Sequence, residues 1–188
     1  MGLIQRIRQI LQILPDSLNQ RVQKCIEIRK EERFVHGKKV EASYDAETDR
    51  ILLWGRSDIS DVDLVIVLMH EIGHFLYHQL LDEKIKKHWL KIHVVENLDF
   101  GLHKDYSVAH IPEEAFCCAF SLVGLEIWLE GHNMKIEAEK LKTKLDKKMP
   151  KASAFSRKVI KQEDFKGIFR TTVKRIRRWV EETTGPLD

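Results

Sequence analysis

Residues 65–79, VIVLMHEIGHFLYHQ, set His70, Glu71, His74 and His78 in a run that is otherwise almost wholly apolar. An ionisable side chain taken out of water must be neutralised, paired or bound to a metal. His70 and His74 stand four residues apart, so on a helix both imidazoles project from one face, close enough to hold one cation. Glu71 lies a step around that helix, where its carboxylate reaches a water on the cation. Imidazole donors beside an open, water-filled position are what catalytic zinc uses, and Zn2+ is the expected cofactor. The competing reading is a helix whose buried histidines are satisfied by separate backbone or carboxylate partners. One divalent cation meets the same need with fewer groups. Gly73, between the two histidines, costs a helix about 1 kcal/mol relative to Ala, so a close-packing reason is expected for it.

His78 continues the same face, but two turns at 1.5 Å per residue carry it about 6 Å beyond His74 along the axis, to the rim of a site rather than its centre. Tyr77 and Leu80 occupy the places where a metzincin carries its Gly and third His, so a third ligand must come from elsewhere. The stretch IPEEAFCCAF, residues 111–120, is the candidate source. Pro112 suits the first turn of a helix, and the segment is apolar apart from Glu113 and Glu114. Acidic residues at that place also complement the helix dipole without any metal, and periodicity leaves both glutamates open as the ligand.

The elements that must position these groups follow from pattern and capping. Ser60-Asp61-Val62-Asp63 has capping-box spacing and predicts a helix from 61 to about 82 that holds the motif in its middle. Leu3, Ile4, Ile7, Ile10, Leu11 and Leu14 predict an amphipathic first helix ended by Pro15, and a second is expected from Asp16 or Ser17 to about Arg33. Alternating Val40, Ala42 and Tyr44, the turn DAETD and the run ILLW predict a hairpin over about 38–54. KIHVVENL, within the ambiguous segment 84–102, reads as a short strand. Helices are expected from Pro112 to Gly131, Met134 to Lys148 and Asp164 to Glu182, with a polar link at 150–156. The fold class is α+β, mainly helical, with a small hairpin or sheet beside the motif helix.

With 188 residues, 43% apolar and 32% charged, the chain suits one globular domain. Within it, residues 1–35 are N-terminal helices packed on a core at 36–131, and 132–188 are C-terminal helices of the same domain. Cys25, Cys117 and Cys118 form neither a disulfide framework nor a CxxC knuckle, which fits a cytoplasmic location. Cys117 and Cys118 read as small buried apolar groups rather than nucleophiles. Arg6, Gln9 and Gln12 interrupt the N-terminal apolar run, against a signal peptide, and no run reaches the roughly 18 apolar residues of a membrane span. Net charge is +3, and residues 135–188 carry 16 Lys or Arg against 8 Asp or Glu, so the tail is basic.

HEIGH and Glu114-Ala115, with Ala119 four residues beyond that Ala, resemble the ImmA/IrrE-type zinc metallopeptidases. Their pattern is a short sheet, a HExxH helix and a later helix opening on a Glu-Ala ligand motif. The resemblance covers about residues 36–130 and implies a zincin-like core with Glu114 as third ligand. Cys118 stands where the family has Phe, SLVGLE replaces its leucine-rich sequel, and Glu113 stays an alternative. By the same analogy the substrate is a single partner protein, such as a transcriptional repressor.

The expected chemistry is amide hydrolysis, with Glu71 as general base and zinc held by His70, His74 and Glu114. His103, Tyr106 and His110 precede the second ligand helix, and Tyr106 is the preferred oxyanion donor. A strand of the hairpin would receive an extended peptide or protein substrate. The alternative is a metal-stabilised binding module that meets nucleic acid or protein through Arg170, Lys174, Arg177, Arg178 and Trp179. Nucleic acid is the less favoured partner, because Phe165, Ile168, Phe169, Val173, Ile176 and Val180 recur as the buried face of an ordinary amphipathic helix.

Overall fold

Helices that are apolar nearly all round must be covered on every side. Two such helices form the centre of the structure, a computed structural model that describes residues 2–35, 38–54, 59–102 and 107–161. In chain order the elements are α1 (Leu3–Leu11), α2 (Asp16–Cys25), β1 (Ile26–Arg29), β2 (Arg33–Val35), β3 (Lys38–Val40), β4 (Ala42–Asp45) and β5 (Arg50–Trp54). They continue with α3 (Asp61–Gln79), α4 (Glu83–Glu96), α5 (Ile111–Gly131), α6 (Lys135–Lys148) and α7 (Pro150–Ile160). The architecture is α+β, dominated by helix, with a small mixed sheet and a separate two-stranded hairpin.

The central pair is α3 and α5, with α1 and β4 against α3, and α4, α6 and α7 around α5. One apolar cluster runs through all of these layers, from Ile7 to Ile160, and includes the fully buried Leu68, Met69, Ile72, Phe116 and Phe120. Ser60 caps α3 as its spacing predicts: its hydroxyl oxygen accepts the amide of Asp63 at 3.1 Å. Pro112 lies in the first turn of α5.

At Gly73 the two central helices approach each other closely. A Cβ there would stand 3.0 Å from the Cα of Cys117 and 3.1 Å from its Sγ. The expected packing reason is therefore present, and the obstacle is backbone. Gly124 of α5 makes the reciprocal approach to Met69, whose Cε and Cγ would lie 2.7 and 2.8 Å from an added Cβ.

The three-stranded sheet has the order β1-β5-β4, with β1 parallel and β4 antiparallel to β5. Asp45 builds the turn between β4 and β5, accepting the amide of Glu47 at 3.0 Å and the hydroxyl of Thr48 at 2.7 Å. Asp49 closes the turn in the left-handed region, at φ 55°.

Four expectations are corrected. Helix α2 stops at Cys25 instead of Arg33, because Ile26 and Ile28 alternate with Glu27 and Arg29 and pair along β5 as a strand. The hairpin over 38–54 divides: β4 pairs with β5, while β3 pairs with β2. KIHVVENL is helical, the second half of α4. Asp82 caps that helix on the amide of Ile85 at 2.8 Å, Asn97 ends it at φ 49°, and Trp89 and Ile92 are buried while the β-branched Val94 and Val95 face outward. The link at 150–156 is the first half of α7. Glu96 of α4 holds the start of α7 by accepting the amides of Lys151 and Ala152 at 2.6 and 2.9 Å. The basic helix expected over 164–182 lies outside the described residues. No helix among the described residues is long and apolar enough to cross a membrane.

The two glycines give a test of packing against propensity. Replacing Gly by Ala in a helix gains about 1 kcal/mol of propensity, while overpacking a filled core costs about 1–3 kcal/mol. At Gly73 the obstacle is the Cα of Cys117, so Gly73→Ala is expected to lower unfolding free energy by about 1–2 kcal/mol. At Gly124 the obstacle is side chain alone, Met69 from Cγ to Cε, whose unbranched chain can turn aside, so Gly124→Ala should cost less than Gly73→Ala in chemical denaturation. Equal losses at both positions would contradict this account.

Candidate metal centre

His70 and His74 lie one turn apart on α3, their ring centroids 5.0 Å apart and their planes at 72°. The first turn of α5 faces them. It is anchored by Trp89 of α4, fully buried, whose indole N–H donates to the Pro112 carbonyl at 2.6 Å. Glu114, the next acidic residue but one, then spans both imidazoles: its Oε2 is 3.3 Å from His70 Nε2, and its Oε1 is 3.5 Å from His74 Nε2. Oε2 is buried and makes no hydrogen bond. Its nearest polar neighbour is the His70 ring, an ion-pair contact without hydrogen-bond geometry, which is a looser match than a buried carboxylate oxygen usually has.

The spacing itself fits a cation. Ligand atoms about 2.0–2.1 Å from a tetrahedral ion stand about 3.3 Å apart, and each Glu114 contact, made by a separate oxygen, is near that length. The Glu113 contacts are of another kind. Glu113 Oε1 lies 2.7 Å from His74 Nδ1 and 2.8 Å from His78 Nε2, lengths that fit a proton between nitrogen and oxygen. The neighbouring glutamates thus approach opposite nitrogens of His74. Periodicity leaves them equivalent; the coordinates separate them.

Glu71 is buried, and burial pushes its carboxyl pKa up, partly offset by the charges of His70 and His74 and by the Tyr44 backbone. Burial alone would lower His70, but the acceptors Cys118 and Glu114 and the charge of Glu71 outweigh it and lift its pKa to about 9. His74 is raised further, against burial, by Cys117, Glu113 and Glu114. Glu114 moves the other way: burial would raise it, and the two imidazoles hold it down to about 2. The contacts between the two imidazoles and Glu114 thus favour the protonated form of each ring and the charged form of that carboxylate.

His78 sits at the exposed rim, as its place on the helix predicts, with its ring stacked on Tyr44 of β4 at 5.7 Å and 25°. His110 occupies the N-cap position of α5, where its Nδ1 pairs with the Ser107 hydroxyl at 2.8 Å. Tyr106 and His103 lie outside the described residues. Two contributors escaped the sequence reading. Tyr44 of β4 stacks on His78 of α3, a long-range contact that alternation along a strand does not reveal, and donates its hydroxyl to Asp49 at 2.7 Å. Cys117 is fully buried as expected, yet its Sγ and one nitrogen each of His70 and His74 lie within 4.8 Å of one another. Its place three residues after Glu114, opposite Gly73, was the available signal. Burial pushes this thiol up to about 12, with His74 opposing the shift.

Two groups set their donor atoms within 4.8 Å of one another and could hold a metal ion, His70-His74-Cys117 and His74-His78-Glu113; Glu114 belongs to neither and meets His70 and His74 through different oxygens. No family model, curated protein or solved structure matches the chain.

Metal and protons compete for the same imidazole nitrogens, and here the protons are held unusually tightly. Zinc affinity should therefore climb as pH rises from 6.5 toward about 9, the value to which His70 is lifted, instead of levelling off just above the ordinary histidine pKa. Chelator competition across that range measures it. An affinity that levels off by pH 7.5 would contradict the pairing described.

Proposed function

We propose that this chain is a zinc-dependent metallopeptidase of the ImmA/IrrE type, cleaving peptide bonds in a specific partner protein in the cytoplasm. The observation that carries the reading is the Glu114 carboxylate, with its unpartnered Oε2, set against the Nε2 atoms of two histidines one helical turn apart. His70, His74 and Glu114 would hold the ion. When bound there, zinc lowers the pKa of a coordinated water toward neutrality and polarises a carbonyl.

Glu71 supplies the remaining requirement, a carboxylate that is no ligand. Its raised pKa brings it closer to the range in which one group accepts a proton from water and then returns it to a leaving amine. Tyr106 is assigned the oxyanion. β4 is the terminal strand of its sheet, so its outer edge suits the addition of an extended segment of substrate. The three free thiols suit a reducing compartment.

A second reading rests on Cys117. If its sulfur joined His70, His74 and Glu114, the ion would be closed on four sides by protein, as in a structural site, and the chain would be a metal-stabilised binding module. His78 and His110 do not favour that cage, being engaged by Glu113 and Ser107.

Three measurements decide. Elemental analysis should give one zinc per chain in the wild type and in Glu71→Gln. New N-termini, detected by mass spectrometry after incubation with a cell lysate, should arise with the wild type and not with the variant. Cobalt substitution should give visible ligand-field bands without a strong sulfur-to-cobalt charge-transfer band. Cleavage by Glu71→Gln at the wild-type rate would remove the assigned base. A sulfur band lost in Cys117→Ser would favour the closed site.

A further inference from the structure

Glu113 serves neither helix capping alone nor, by its distances, the ion. Its Oε1 meets His74 Nδ1 at 2.7 Å and His78 Nε2 at 2.8 Å. The donor atoms of these three residues lie within 4.8 Å of one another, so they also resemble a second metal site. The spacing argues otherwise. Two atoms bound to one tetrahedral zinc stand about 3.3 Å apart, and both contacts are shorter than that by about half an ångström. They are hydrogen bonds from two imidazole N–H groups to one carboxylate oxygen.

We propose that Glu113, supported by His78, is a positioning residue of the metal centre: it fixes His74 with the proton on Nδ1, so that the Nε2 lone pair faces Glu114 and the ion. The proposal rests on the metallopeptidase reading for its ion, and it goes beyond that reading in giving the second glutamate and the third histidine of the cluster a role. A neutral imidazole has one N–H and one lone pair, and a partner that takes the N–H decides which nitrogen is free. A charged acceptor also makes the ligand nitrogen more basic, which strengthens its bond to a metal.

His78 and Tyr44 keep Glu113 in place. Oε1 would otherwise be free to swing toward solvent, since it is held by no other hydrogen bond among the described residues. His78 Nε2–H binds it from the exposed side, and the His78 ring is stacked on Tyr44. Tyr44 is itself fixed through Asp49, which also accepts Gln79 Nε2 at 2.5 Å. The sheet thereby buttresses the outer side of the metal centre through a chain of four contacts. Glu113 is half-sheltered, with a side chain 16% exposed, so the carboxylate is screened less than a surface pair would be.

The test uses the full chain with zinc alone. Zinc affinity is measured by chelator competition for the wild type, Glu113→Ala, Glu113→Gln, His78→Phe and His70→Ala. Loss of an outer partner of a ligand histidine weakens binding by about 10–100-fold, and Glu113→Ala should fall in that range. Glu113→Gln keeps an oxygen that accepts the N–H and should recover most of the loss. His78→Phe keeps the stack on Tyr44 and should cost under about 10-fold. Stoichiometry should remain one zinc per chain in the wild type and in the Glu113 and His78 variants, and His70→Ala should lose it. In zinc-loaded protein, nitrogen NMR of the His74 ring should show the proton on Nδ1 at the shift of an N–H donated to a carboxylate, and that shift should move in Glu113→Gln, a readout that a merely structural role would not move.

Wild-type affinity in both Glu113 variants, with zinc lost in His70→Ala, would overturn the positioning role and leave the metal centre standing. A second zinc that disappears in His78→Phe would replace the role with a second metal site. No zinc in the wild type would remove the metal centre and this inference together. Should Glu113→Ala fail to fold, the Gln variant and the ring spectrum of the wild type still decide.

Discussion

The close approach of α3 and α5 governs the rest of the site. Donor spacing at a metal centre must hold to a few tenths of an ångström, and here the donors come from two helices. Their separation is set where Gly73 meets Cys117, with no Cβ to hold the backbones apart. One methyl group at that point would move the carboxylates of α5 away from the imidazoles of α3. The same packing explains why Cys117 is buried at the base of the histidine pair. The thiol is small enough to fill the space that the missing side chain leaves, and its position beside His70 and His74 follows from that fit.

Much of the centre was legible in the chain because its signals are local. Histidines at i and i+4, a capping serine three residues before an acidic one, and a glycine in an apolar helix each state their meaning within a single turn. The roles of Glu113 and Glu114 were not legible. Adjacent helix positions differ by about 100° in direction. Which one meets Nε2 and which one meets Nδ1 depends on the rotation of α5 about its axis, set by long-range contacts such as the Trp89 indole on Pro112. The errors in the fold have the same origin. Val94 and Val95 suggested a strand, but the burial of Trp89 and Ile92 with caps at Asp82 and Asn97 overrides β propensity. Ile26 and Ile28 suggested helix by continuity, and β5 recruits them as a strand. Tyr44 joined the site only through the sheet.

The three histidines of α3 also differ in what their surroundings ask of them. His70 and His74 face carboxylate oxygens on their Nε2 side, and His74 is held from behind by Glu113. His78 faces outward, 38% exposed, and directs its Nε2 to the same oxygen that holds His74. A straight helix with one histidine per turn thus sets one imidazole against Glu114, one between Glu113 and Glu114, and one at the rim against Glu113. The grading follows from depth and from the fixed rise per turn, and it needs no irregularity in α3.

A comparison within α5 makes the strongest case that Glu114 is built for a ligand. The helix buries two glutamates, Glu114 and Glu126, to nearly the same depth. Glu126 is fully met by Arg157 of α7, whose Nε and Nη2 donate to its two oxygens at 3.1 and 2.7 Å, while Nη1 reaches Asp146 of α6 at 2.7 Å. That is how a buried carboxylate is made tolerable by protein alone: a planar guanidinium matches both oxygens and ties three helices together. Glu114 has no such fork. Its oxygens face two imidazoles at separations too long or misdirected for good hydrogen bonds, and Oε2 has none. The fold can supply an arginine to a buried glutamate, as it does three turns along the same helix. At Glu114 it supplies two imidazoles, one to each oxygen, at 3.3 and 3.5 Å.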